Sequence, residues 1–190
     1  MSKKLLALDI GKVCISLQEE LAFAAMNWRG MQDIPPILLD ATGKLECGMM
    51  DKLEFFQLAA GVLNLPDTGP VESWFNLILG EETPGMANTL KQAEEEWNFV
   101  FLSDISAPHL EVVRQRLSFF DQAIGGIFSF EAGCRKPDRA IFARFEAQYG
   151  KPDLFVDDRI INIKGAEKMH WNAVQFLSVP QFSELLKLTK

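Results

Sequence analysis

The sequence predicts an α/β protein: a mostly parallel sheet with helices on both faces, interrupted near its start by a helical insertion. Three observations carry this prediction. Short apolar runs end in polar residues at Leu5-Leu6-Ala7-Leu8-Asp9, at Phe99-Val100-Phe101-Leu102-Ser103-Asp104 and at Leu154-Phe155-Val156-Asp157-Asp158. Unbroken apolar runs of this length read as strands buried on both faces, the habit of parallel sheets. From residue 99 onward such runs alternate with helical patterns, which implies βαβ units. Between residues 15 and 85, by contrast, apolar residues recur at helical spacing and no confident strand is found.

Taken in order, the chain begins with a buried strand that runs into Asp9 and Gly11. Ser16 is a candidate cap for a helix over residues 17–29, broken at Asp33-Ile34-Pro35-Pro36. Thr42-Gly43-Lys44 reads as a turn. Asp51 opens a second helix that ends before Leu65-Pro66, and Gly69-Pro70 precedes a third, over residues 72–79, rich in large apolar side chains. Thr83-Pro84 opens a fourth, running to about residue 97. A strand over residues 99–102 follows, then a helix over 108–119 and a short strand over 125–129. Pro137 suits the first turn of a helix that stops at Gly150. A strand over 154–156, a helix to about residue 169, a strand over 173–176 and a helix over 180–188 complete the pattern.

The 190 residues allow one domain, or a core domain with a sizeable insertion, and at 48% apolar residues a real core can be buried. A net charge of −7 with no basic tract argues against a nucleic-acid partner. No stretch approaches the roughly 20 apolar residues of a membrane span. Met1-Ser2-Lys3-Lys4 resembles the basic end of a leader, but Asp9 interrupts the apolar run too soon. The expectation is a soluble cytoplasmic protein without a membrane partner. Cys14, Cys47 and Cys134 are odd in number and widely spaced, which argues against a disulfide framework or structural zinc. With only His109 and His170, there is little material for Ser-His or Cys-His catalysis.

A parallel sheet points all its strand C-termini to one edge, so Asp9, Ser103, Asp157 and Asp158 converge there. Several carboxylates gathered together repel and lose hydration unless a cation compensates them. An oxygen-rich site with small carboxylates suits Mg²⁺, which keeps waters and accepts a phosphate. Lys136, just ahead of a helix, can reach the same edge. A lysine, a serine hydroxyl and helix N-terminal amides make a phosphate cradle. Asp9 is then placed to attack phosphorus.

The segments DIGKV, FLSD, CRKPD and FVDDRIIN, in this order, resemble the four motifs of the haloacid dehalogenase-like (HAD) hydrolase superfamily. The resemblance covers nearly the whole chain. It implies a HAD-like Rossmannoid core over residues 1–14 and 86–190, its parallel sheet flanked by helices, and an inserted helical cap of C1 type over 15–85. The first motif is most similar to that of the YihX-type sugar-phosphate phosphatases. Glu46-Cys47-Gly48 is similar to their cap pattern E-x-G, and Ser103-Asp104 with His109 to their S-N-x-n-x-x-H.

By resemblance, Asp9 is the nucleophile and a metal ligand, and the Gly11 carbonyl is a main-chain ligand. Ser103 donates to the phosphoryl oxygens and Lys136 neutralises charge. Asp158 and Asp157 bind Mg²⁺, and Asn162 supports their loop. Lys12, Met49 and Met50 are candidate substrate contacts. Two positions depart from the pattern. Gly11 stands where most superfamily phosphatases carry a second Asp as acid and base. Asp104 stands where Asn is usual, either as a replacement proton carrier or, the preferred reading, as a helix cap. His109 and His170 are expected on helix surfaces or in packing. The function implied is a Mg²⁺-dependent phosphatase of a small, sugar phosphate-like metabolite. Two alternatives stay open: a HAD-fold binding or regulatory protein without turnover, and a 2-haloacid dehalogenase.

Overall fold

A computed structural model describes residues 3–188; the Met1-Ser2 opening considered above lies outside them. Five parallel strands form the sheet in the order β5-β4-β1-β6-β7. These are β1 (Lys4–Leu8), β4 (Trp97–Ser103), β5 (Gly126–Phe128), β6 (Leu154–Asp157) and β7 (Ala173–Gln175). The centre is β1, with Leu8 level with Phe101 of β4 on one side and with Val156 of β6 on the other.

Side chains alternate between two cores, as the period of two in a strand requires. Leu6, Leu8, Phe99, Phe101, Leu154 and Val156 point to one face. There they meet Leu90 of α5 (Met86–Ala93), Val113 of α6 (Ala107–Arg116) and Phe182 of α10 (Val179–Leu188). Ala7, Val100, Leu102 and Phe155 point to the other face. They pack on Phe142 and Phe145 of α8 (Arg139–Tyr149) and on Ile163 of α9 (Ile160–Glu167). Each strand is apolar at consecutive positions because both of its faces are covered.

The segment between β1 and α5 is mainly helical: α1 (Glu19–Ala25), α2 (Pro36–Glu46), α3 (Lys52–Val62) and α4 (Gly69–Leu77). The last three bury a core of their own around Leu38, Leu45, Phe55, Phe56, Val71 and Phe75. Asp51 starts α3 with a reciprocal cap. Its side chain accepts from the Glu54 amide while Glu54 accepts from the Asp51 amide.

The structure corrects the sequence reading in several places. Two short strands, β2 (Ile15–Leu17) and β3 (Leu79–Glu82), pair antiparallel at the entrance and exit of the helical segment. Ser16 therefore caps no helix; it lies in β2, and its hydroxyl bonds the Glu81 backbone. Thr42-Gly43-Lys44 is no turn but the interior of α2. Thr42 Oγ1 donates to the Leu38 carbonyl, and burial of Leu38, Ala41 and Leu45 outweighs the local turn preference. The helix expected to reach residue 97 ends at Ala93. A four-residue helix, α7 (Ser129–Ala132), follows β5 unannounced. No helix among the described residues is long and apolar enough to cross a membrane.

Candidate active site

Because β1, β4 and β6 are parallel and adjacent, their C-terminal ends bring Asp9, Ser103 and Asp157 to one edge. Asp9 directly follows β1 and is anchored by its amide, which donates to the Val156 carbonyl at 3.0 Å. The chain then turns tightly, with the amides of Val13, Cys14 and Ile15 all directed at the Ile10 carbonyl. Lys12 takes a left-handed φ of 56° in this turn.

Lys136 comes from the loop between α7 and α8 and is buried to its tip. Its Nζ donates to Asp9 Oδ1, Asp157 Oδ2 and the Leu102 carbonyl, each at 2.7 Å. Burial works against the charge on this ammonium, but Asp9, Asp157 and Asp104 together hold its pKa well above that of an ordinary lysine. Asn162, in the first turn of α9, donates to both oxygens of Asp157 at 3.0 Å, and the Arg159 amide adds a third bond at 2.8 Å. Asp157 is thus held in one orientation.

Asp9, Asp157 and Asp158 each offer an oxygen, and the three lie within 4.8 Å of one another. Burial pushes the Asp9 pKa up to about 7, with Lys136 pulling it down and Asp157 pushing it up. Burial and Asp157 likewise raise Asp158. One ammonium against three carboxylates leaves negative charge uncompensated. The donors are hard oxygens, and an octahedral Mg²⁺ with bonds of about 2.1 Å sets its ligand oxygens roughly 3–4 Å apart. The cluster fits such an ion. Asn162 Oδ1, buried beside it, has no hydrogen-bond partner among the described residues.

The edge opens into a cleft of about 680 Å³ lined by Asp9, Gly11, Lys12, Glu46, Asp104, Asp158 and others. Lys12 reaches it but pairs with Glu19 at 3.1 Å. Ser103 is buried at the end of β4. Met49 is 70% exposed, and Met50 packs against the core of the helical segment; neither lines this cleft. Asp104 is not the helix cap expected. The cap position of α6 is Ser106, whose side chain makes no capping bond, and Asp104 Oδ1 instead accepts the Lys136 amide at 2.9 Å.

Sequence reasoning assigned no role to Arg135, or to Glu46 beyond its place in a pattern. Arg135 Nη1 meets Glu46 Oε2 at 2.6 Å, and both residues line the cleft. Ser129 Oγ donates to the Glu46 carbonyl at 2.6 Å. Gly48, at φ +66°, lies so near the Phe130 carbonyl that a Cβ would stand 2.1 Å from its oxygen. The turn after α2 is thereby seated on α7 and the loop that carries Lys136. Arg159, Glu19, Leu17 and Met31 also line the cleft without having been singled out. Only Arg135 and Arg159 had a signal available, as neighbours of Lys136 and Asp158 in the quoted motifs.

His109 is a packing residue. It stacks on Phe75 at 3.9 Å, and its Nε2 makes a 3.0 Å hydrogen bond with the Phe75 carbonyl.

No family model matches the sequence, and no curated protein matches it. Solved structures do match. The HAD family enzyme BT-2542 of Bacteroides thetaiotaomicron, in its magnesium complex, is 21% identical at a TM-score of 0.85, over 97% of this chain and 98% of that one. The same enzyme is known in complex with magnesium and inorganic phosphate. A predicted HAD-like family hydrolase of Porphyromonas gingivalis is 20% identical at a TM-score of 0.82, covering 98% of this chain and 99% of its own. The L-2-haloacid dehalogenase of Xanthobacter autotrophicus is more distant, at 16% identity and a TM-score of 0.62, over 96% of this chain and 82% of that one. This likeness shows the fold and does not reach the YihX-type subfamily expected from the first motif. With its β5-β4-β1-β6-β7 parallel sheet and its helical segment after β1, the chain has the fold of the haloacid dehalogenase-like superfamily.

Proposed function

We propose that this protein is a Mg²⁺-dependent phosphatase of a small, sugar phosphate-like metabolite, working through an aspartyl-phosphate at Asp9. The observation that carries this reading is the buried Lys136 bridge between Asp9 and Asp157, with Asp158 adjoining, at the mouth of a polar cleft. A carboxylate held on an ammonium, at the C-terminal edge of a parallel sheet, is placed to attack phosphorus and not to cap a turn. The magnesium and phosphate found with BT-2542 point the same way.

In this reading an Asp9 oxygen forms the bond to phosphorus. Lys136 opposes protonation of the nucleophile and offsets charge on the transferring group, with Ser103 donating to its oxygens. Positioning and electrostatics of this kind supply most of the catalysis in phosphoryl transfer. Asp9, Asp157, Asp158 and the Gly11 carbonyl would hold Mg²⁺, which when bound supplies positive charge against the phosphoryl oxygens. Asn162 orients Asp157. Residues 15–85 act as a cap over a core of residues 1–14 and 86–190, and the protein works in the cytoplasm.

A 2-haloacid dehalogenase needs no divalent ion, and Asp158 beside Asp9 and Asp157 would then be costly. The test is turnover of p-nitrophenyl phosphate. Hydrolysis with Mg²⁺ that is lost in EDTA and in Asp9→Asn is expected. Absence of metal-dependent turnover across a broad phosphate panel would sink the proposal, and chloride release from chloroacetate in EDTA would replace it with the dehalogenase.

A further inference from the structure

We propose that Asp104 is the proton carrier of this site, protonating the leaving oxygen of the substrate and then deprotonating the attacking water. The proposal rests on the phosphatase reading above. An alkoxide is a poor leaving group, so its expulsion from a phosphate monoester calls for a positioned acid. Among the described residues no histidine lines the cleft: His109 is committed to Phe75, and His170 lies elsewhere. Gly11 has no side chain to offer.

Five carboxylates do line the cleft: Asp9, Glu19, Glu46, Asp104 and Asp158. Asp9 and Asp158 belong to the nucleophile and metal cluster. Glu19 is ion-paired to Lys12 at 3.1 Å with about half of its side chain in solvent. Protonating Glu46 would break its 2.6 Å pair with Arg135. Asp104 differs from all four. Its Oδ1 is fixed by the Lys136 amide at 2.9 Å, and its Oδ2 has no hydrogen-bond partner among the described residues. Among the described residues no cationic side chain is ion-paired to it, although Lys136 and Arg135 are near enough to act on its charge. Lys136 therefore ties both groups together, Asp104 through its amide and Asp9 through its Nζ.

The groups around Asp104 set its proton affinity. Burial raises its pKa, Lys136 lowers it, Asp157 raises it and Arg135 lowers it, for a net upward shift. Glu46 and Cys134 also sense its charge. A carboxyl that holds its proton more tightly than usual is the kind that serves as an acid near neutral pH.

The proton count closes over the cycle. As an Asp9 oxygen bonds to phosphorus, the bond from phosphorus to the leaving oxygen breaks and its electron pair stays on that oxygen. The proton of Asp104 moves there, and a neutral alcohol departs. The Asp104 carboxylate next takes a proton from water as the water oxygen bonds to phosphorus and the Asp9 carboxylate is released. Inorganic phosphate leaves, and Asp104 is protonated again.

The experiment compares two leaving groups in Asp104→Asn. The p-nitrophenolate ion departs without a proton, whereas the alkoxide of glycerol phosphate does not. The expected result is a fall of about 10²–10⁴ in kcat/KM for glycerol phosphate, which reports the first transfer, tenfold or less in kcat/KM for p-nitrophenyl phosphate, and loss of one limb of the kcat/KM pH profile. Gly11→Asp in the Asp104→Asn background should recover glycerol phosphate turnover, because a Cβ at position 11 meets only Leu17, at 3.8 Å. Equal losses in kcat/KM on both substrates, or a leaving-group-dependent loss of kcat/KM in Glu46→Gln and not in Asp104→Asn, would overturn the assignment. If the unsubstituted protein hydrolyses neither substrate, it is the phosphatase reading that fails.

Discussion

The Nζ of Lys136 stands 2.7 Å from Oδ1 of Asp9, with both side chains almost completely out of solvent. Removing one member of such a pair leaves its partner as a buried, uncompensated charge. Here Asp157 loses the same cation. Lys136→Met should therefore cost about 3–5 kcal/mol of unfolding free energy at neutral pH. Urea titration measures it, and a loss under about 1 kcal/mol would show that the lysine is not what neutralises this edge.

Binding to the native state alone stabilises by mass action, by roughly 2.7 kcal/mol at a hundredfold excess over Kd. Adding Mg²⁺ should raise the melting temperature in a saturable way. Asp158→Asn should blunt that rise, whereas an equal ionic strength of NaCl should not reproduce it. Calorimetry with and without EDTA makes the comparison, and no difference would leave the Asp9, Asp157 and Asp158 cluster without its ion.

Burial lowers the pKa of His109 from 6.5 to about 4, partly opposed by the hydrogen bond to the Phe75 carbonyl. The unfolded chain thus binds a proton first as pH falls. The stability this histidine contributes is full above pH 6.5, declines between 6.5 and about 4, and levels off below. The shift is worth on the order of 3 kcal/mol at most. Relative to His109→Gln, the natural protein should lose stability over that window. Parallel curves for the two proteins from pH 7 to 4 would contradict this.

Gly48 adopts φ +66° with the Phe130 carbonyl where a side chain would be. Gly48→Ala meets both a left-handed backbone, costing about 1–2 kcal/mol, and a backbone clash that no rotamer relieves. The seat of Glu46 on Ser129 and Arg135 should move. A drop in stability of more than about 2 kcal/mol is expected, together with a raised KM if the enzyme turns over phosphate esters. An unchanged melting temperature would mean that the turn relaxes freely.

The strand ends were readable because long apolar runs stop abruptly at Asp9, Ser103 and Asp157, and topology does the rest. β2 and β3 were not. Ile15–Leu17 is only three residues long, and Leu79–Glu82 carries a glycine, so neither shows a countable alternation. Position 80 must be small because a Cβ there would stand 2.2 Å from Ser16 Oγ, a constraint that exists only once the strands are paired. The pairing of Glu46 with Arg135 spans 89 positions and has no local trace. Asp104 was read as a cap because Asp caps helices; its real partner, the Lys136 amide, is 32 residues away.

The pairing of β2 with β3 has a consequence for how this chain could be rebuilt. The polypeptide leaves the five-stranded sheet and returns to it through two neighbouring strands, buttressed by Arg116, which donates to the carbonyls of Leu79 and Gly80. Everything between Leu17 and Leu79 hangs from this ribbon as a single loop. A short turn joining the two strands would close them into a hairpin and leave the order of the sheet untouched. The helical segment is tied covalently to the sheet at this one ribbon, but Glu46 on Arg135 and Ser129, Gly48 on Phe130 and Phe75 on His109 also seat it, so an edit at the junction would carry those contacts away with it.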